Sequence, residues 1–206
     1  MMVLFAAASR AEADRLLAGL PALADQPQDR RDLVRGWIAA LYPPSADGRV
    51  WGQVEPDRLA ERFAGLRLMR DPRLPDPVLP DATEVQTAQL LTVYTRAANQ
   101  PTFGGALRGP LTDLVLRHQA VLAGVAVDVA VQTEAPQPLA DALARVAADP
   151  GIARTDLQVL ARRLPQFSHV LAGWPPTSPV ESWPSNGRCL QIPKISKQHT
   201  PSSPRR

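Results

Sequence analysis

The residues best placed to do chemistry are two carboxylates four apart, Asp57 and Glu61, interleaved with two arginines at the same spacing, Arg58 and Arg62. Residues four apart on a helix share a face. A carboxylate pair so placed has the raw material of general acid/base catalysis. The same pattern has a structural meaning. Acidic residues favour the positive end of a helix, and Arg58–Glu61 pairs across one turn. The structural reading is preferred here, ahead of a role at an inter-domain contact.

Other chemistries are poorly supplied. Residues 1–173 hold three serines, Ser9, Ser45 and Ser168, and no cysteine. Ser9 reads as a helix N-cap and Ser45 as a turn residue. Ser168 precedes His169, and an adjacent Ser–His pair without an orienting acid makes no triad. Asp113 and His118 are five apart, off the i, i+4 geometry of paired metal ligands on a helix. His118 instead suits a helix C-terminus, where a cation meets the dipole favourably. A phosphate-binding loop needs glycines and a following lysine. The first lysine of the chain is Lys194, and the glycine pair Gly104–Gly105 follows Asn99–Gln100–Pro101, which reads as a loop. No catalytic, cofactor-binding or metal-binding residue is assigned. Trp51, Asp57, Arg58 and Glu61 stand as structural or interaction residues.

The elements that must position these residues are helical. The apolar mass is Ala, Leu and Val, with aromatics at 5%, a composition for closely packed helices. Ser9-x-x-Glu12 is a capping box that opens a helix to about Leu17, with Gly19 as its stop. Gln28 to Leu41 is predicted as a second helix whose apolar stripe is Leu33, Val34, Trp37, Ile38 and Leu41. Pro43–Pro44 ends it. Pro56 suits position N1 of a third helix, with Leu59, Phe63 and Leu66 as its buried face and an end near Arg70. The ring of Trp51 is expected to plug the joint between the second and third helices.

Residues 71–80 carry Pro72, Pro75, Pro77 and Pro80 and are expected to form an extended connector. Asp81-x-x-Glu84 is expected to cap the next helix, which runs through Val85, Ala88, Leu90 or Leu91, Val93, Tyr94 and Ala97. Shorter helices follow at about 106–118, 119–133, 137–148 and 154–164, and a last one from 166. Gly109–Pro110, Gln132 to Pro138, Asp149–Pro150–Gly151 and Pro165 separate them. The expectation is an all-α, irregular antiparallel array, solenoid-like but without a counted repeat.

Charge divides unevenly. The chain carries a net +3, yet Arg188, Lys194, Lys197, Arg205 and Arg206 face only Glu181 in residues 174–206. The rest is close to neutral, unlike a nucleic-acid-binding domain, which concentrates basic residues on its folded surface. Residues 174–206 also hold the single cysteine, Cys189, and seven of the 22 prolines. They are expected to be a disordered basic tail. One cysteine permits no internal disulfide. No run reaches the about 18 apolar residues of a membrane span, and Met1 to Ala8 lacks the basic start of a signal peptide. A cytoplasmic location is expected.

One stretch points outside the chain. Leu41–Tyr42–Pro43, followed by Val50–Trp51–Gly52–Gln53–Val54–Glu55–Pro56–Asp57–Arg58–Leu59–Ala60–Glu61, resembles a segment of bacterial STAND-class regulatory ATPases. These are signalling proteins built on an NB-ARC-like nucleotide-binding core with helical repeats of tetratricopeptide type. The likeness extends upstream through Glu12 to Leu17, Asp29 to Arg31 and Trp37, and weakly downstream to about Trp174. In that family the stretch lies after the ATPase core, near the start of the repeats.

The resemblance implies a non-catalytic helical linker and scaffold for signal transduction. Its partners would be proteins, the ATPase core or the sensor domains, with no cofactor, nucleic acid or membrane. It also implies four parts: residues 1–42 as the end of a truncated winged-helix-like domain, 43–80 as the Trp–Gly/Pro–Asp–Arg helix and connector, 81–173 as a helical-hairpin array, and 174–206 as the tail. The alternative is a small DNA-binding transcriptional regulator with a basic tail.

Overall fold

The computed structural model describes residues 2–44, 48–103, 105–151 and Arg163. Among these there are seven α-helices and no strand. The expected helices within 154–164 and from 166, and the tail at 174–206, lie outside the described residues, Arg163 excepted.

Helix α1, Arg10–Ala18, begins where the capping signal places it. Ser9 Oγ accepts the Glu12 N–H at 3.2 Å. The Glu12 carboxylate reaches back to the Ala8 N–H at 2.8 Å, one residue beyond the usual partner. Gly19 caps the end, and a Cβ there would lie 2.7 Å from Val78 Cγ2. Helix α2 spans Gln28–Leu41. Helix α3, Asp57–Arg70, starts one residue after the expected N1 position, with Pro56 as the N-cap.

Residues 71–80 are not extended. They fold into successive turns and a 3₁₀ turn, Leu79–Asp81, with Val78 and Leu79 buried. Proline forbids an α-helix here but fits tight turns, and two apolar side chains draw the segment inward.

Helix α4, Glu84–Asn99, is capped by Thr83, not Asp81. The Gln86 N–H donates to Thr83 Oγ1 and the Thr83 N–H donates to Gln86 Oε1, a reciprocal box. Helices α5 (Arg108–Arg117), α6 (Gln119–Gln132) and α7 (Gln137–Ala148) follow. Gly109–Pro110, read as a separator, lies instead in the first turn of α5, where proline costs no intrahelical bond.

Helix α4 is the hub: it packs against α3, α5, α6 and α7. The closest pairing is α5 with α7, which are not neighbours in sequence, so the array closes on itself instead of advancing in strict order. A continuous apolar core runs from Leu4 and Phe5 through Leu68, Leu90 and Leu111 to Val146. Tyr94 is fully buried within it, and burial raises its phenol pKa above the usual range.

The apolar stripe of α3 faces the other way from expectation, and that of α2 is only partly buried. No residue of α2 is buried; Leu33, Trp37 and Leu41 are exposed, and Val34 and Ile38 are half-buried. On α3, Leu59, Phe63 and Leu66 are each more than half exposed, and the buried residues are Ala64, Gly65 and Leu68. The reason is steric. The Phe103 ring packs onto α3 so closely that a Cβ on Gly65 would lie 2.5 Å from its Cε2. Only small residues on that face allow the approach.

Candidate functional site

The loop between α2 and α3 carries Trp51. Its backbone is pinned on both sides: the Val50 N–H donates to Ala7 O at 3.1 Å and the Gly52 N–H to Tyr42 O at 3.0 Å. A Cβ on Gly52 would lie 2.4 Å from the Pro43 carbonyl oxygen, so only glycine permits this crossing. Between these points the indole of Trp51 is buried, 5% exposed, and its Nε1–H donates to the Arg35 carbonyl of α2 at 3.2 Å. The ring meets the need of a buried Trp for one acceptor.

Trp51, Asp57 and Glu61 line one cavity of about 140 Å³, closed by Val3, Gln89, Thr92 and Arg96 among others. The carboxylates meet α4. Arg96 stands 3.9 Å from Asp57 and 3.8 Å from Glu61. Gln100 Nε2 donates to the second oxygen of Glu61 at 2.9 Å. Glu61 is largely buried and Asp57 exposed. The pairings advance together along both segments, Asp57 with Arg96, Glu61 with Arg96 and Gln100, and Gly65 with Phe103, so α3 runs in the same sense as the end of α4. Arg58 is not in this cavity. It lies with Arg62 on a wider cleft of about 820 Å³, which Glu61, Arg96, Gln100 and Glu134 also line.

The expected Arg58–Glu61 pair is thus replaced by a cross-helix clamp. The sequence does not single out Arg96 or Gln100; Gln100 reads as a loop residue and is the C-cap of α4. The clamp fixes the register of α3 on the end of α4. Its charges are partly exposed, and such pairs contribute about 0–1 kcal/mol each.

A second polar cluster fastens α2. Arg35 bonds Asp32 one turn earlier and Asp14 of α1 at 3.2 Å, and Arg10 reaches Asp32 at 3.2 Å. The hydrogen bond from Arg35, aided by Gln28 and Arg10, holds the Asp32 carboxyl below the usual range. His118 caps α5, and its Nε2 lies 3.2 Å from Asp76, which Arg117 also meets at 3.1 Å. These groups join the turns of 71–80 to the bundle.

Among the described residues no three His, Cys, Asp or Glu side chains gather as a metal site. No described helix is long and apolar enough to cross a membrane. Ser45, Gly104, Ser168 and His169 lie outside the described residues. No family model, curated protein or solved structure matches the chain.

The largest departure from an ordinary surface is apolar. Leu33, Trp37 and Leu41 make a stripe on α2, and Leu59, Phe63, Leu66 and Met69 make one on α3. Contiguous exposed apolar surface on a folded protein marks a binding face.

Proposed function

We propose that this chain is a non-catalytic helical scaffold that holds proteins together, the linker and helical arm of a STAND-type regulatory ATPase. The observation that carries the reading is the outward direction of the apolar stripes on α2 and α3. Helix α3 attaches through its opposite face, and α2 through Val34, Ile38 and Arg35 beside its exposed residues, which leaves Leu33, Trp37 and Leu41 and the α3 stripe free for a partner. The likeness of residues 41–61 to the segment after an ATPase core suggests which proteins: the core itself and its sensor domains. Trp51 and the Arg96 clamp would keep the first helices at a fixed angle, as a relay between moving parts requires.

Two experiments test this. The DNA flanking the coding region should carry a phosphate-binding loop in the same frame upstream; flanking DNA without a nucleotide-binding module would sink the family assignment. ATP with Mg²⁺ should leave the melting temperature of this chain unchanged. Ligand at a hundredfold over Kd stabilises by about 2.7 kcal/mol, so a reproducible rise would show a nucleotide site and end the non-catalytic reading.

A further inference from the structure

Helix α3 carries more than an apolar stripe. At about 100° per residue, Leu59, Phe63 and Leu66 fall within about 60° of one another. Arg58 and Arg62 project on one flank with Met69, Arg67 on the other, and Arg70 in line with the stripe at its C-terminal end. All four arginines are exposed. Among the described residues none of them has an ion pair or a side-chain hydrogen bond. Arg10, Arg35, Arg96 and Arg117 each meet a carboxylate, while Arg15, Arg30, Arg73, Arg108 and Arg145 are likewise without an ion pair among the described residues, so what distinguishes the α3 arginines is their place beside an apolar stripe.

The helix dipole accounts for part of this. Arg67 and Arg70 stand in the last turn, where cations are favourable. It does not account for Arg58, in the first turn, or Arg62, in the second. A cation near a helix N-terminus works against the dipole. Arg58 and Arg62, without an ion pair among the described residues and beside exposed Leu and Phe, share with Glu61 and Glu134 a cleft of about 820 Å³, which leaves room for a further carboxylate.

We infer that the outer face of α3 docks an acidic amphipathic helix of a protein partner, an inference that rests on the scaffold reading above. Helix-in-groove recognition uses apolar anchors at i, i+3/i+4 and i+7. Leu59, Phe63 and Leu66 supply that spacing. The stripe from Leu59 to Met69 spans about 15 Å at 1.5 Å per residue, room for roughly three turns of a partner. Carboxylates flanking the partner's own stripe would meet Arg58 and Arg62 on one side and Arg67 on the other. A lipid surface fits less well. Arg70 stands in the line of the stripe, so a helix lying flat would draw its guanidinium below the headgroups, whereas a partner helix can set a carboxylate opposite it.

The test uses the full chain and three labelled synthetic helical peptides. They share one leucine stripe and differ only in carrying Glu, Gln or Lys beside it. Fluorescence anisotropy should find the Glu peptide bound at least about tenfold more tightly than the Gln peptide, with Lys weakest and the gap narrowing as salt rises. Arg58→Glu with Arg62→Glu should reverse the order of Glu and Lys. Phe63→Ser should weaken every peptide. Both variants should keep the wild-type melting curve, since the altered side chains are exposed. Equal binding of Glu and Gln peptides, still weakened by Phe63→Ser, would remove the acidic partner and leave the scaffold reading. Binding of none would remove both. Capture on phosphatidylcholine–phosphatidylserine vesicles that Phe63→Ser abolishes, without a peptide preference, would assign the face to lipid and overturn the inference.

Discussion

Helices α2 and α6 are each 14 residues long, yet α2 buries no residue and α6 buries seven, from Leu122 to Ala130. Helix α6 is apolar nearly all round, as a helix enclosed by α4, α5 and α7 must be. Helix α2 turns Leu33, Trp37 and Leu41 outward and keeps Val34 and Ile38 against the body. Helix α6 is held by hydrophobic burial. Helix α2 rests on α1 through half-buried Val34 and Ile38, the Arg35–Asp14–Asp32 cluster and the Trp51 bond. One region is core and the other an outrigger. Amphipathicity marks a helix with two different neighbours, and the apolar neighbour need not be the same chain.

The comparison breaks most visibly if both regions respond alike to truncation of a buried side chain. Leu114→Ala in the bundle should cost about 2–5 kcal/mol by leaving a cavity. Trp51→Ala should cost about 3–5 kcal/mol, because it empties a buried aromatic site and removes the indole bond to the Arg35 carbonyl. Denaturant melts measure both. Hydrogen exchange separates them: Trp51→Ala should speed exchange in α1 and α2 first, whereas Leu114→Ala should speed it throughout α4 to α7. A Trp51→Ala protein of unchanged stability would make that residue a surface recognition group.

Gly65→Ala is the next step down. A methyl group pressed against the Phe103 ring should cost about 1–3 kcal/mol, and pairing it with Phe103→Leu should recover part of the loss. If Gly65→Ala is neutral, α3 does not lie as close to the body as its geometry requires.

The polar attachment of α2 gives a smaller, pH-dependent effect. The Asp32 carboxyl is depressed in the folded state, so the stability it supplies is present above the ordinary carboxylate range. That stability disappears as pH falls through the lowered folded-state value. Asp32→Asn should therefore melt below wild type at neutral pH, and the gap should close in acid. A gap that stays constant across this titration would mean the cluster contributes no charge-dependent stability.

Much of this architecture was legible in the residues. The Ser9 cap, the extent of α2, the end of α3 and the three helices after residue 106 all follow from capping, proline and spacing. The direction of the stripes did not follow. Periodicity says that Leu59, Phe63 and Leu66 share a face, but hydrophobicity alone assigns that face inward. The true contact face, Ala64, Gly65 and Leu68, is marked by smallness, and its meaning appears only once Phe103 is placed against it. Thr83 was overlooked because Asp81-x-x-Glu84 offers a competing cap, and Leu79–Asp81 was already committed to a 3₁₀ turn. Arg96 and Gln100 join the site only because the first turns of α3 pack against the end of α4.

The central claim is that the stripes serve something other than this fold, and one melt tests it. The variant Leu33→Ser, Trp37→Ser, Phe63→Ser, Leu66→Ser changes four exposed apolar residues and no buried one. Its unfolding transition should be as cooperative as wild type, with stability changed by no more than about 0.5 kcal/mol per site, and its solubility should rise. A loss of several kcal/mol or of cooperativity would mean that these side chains pack within the protein, and the two faces would no longer be available to a partner.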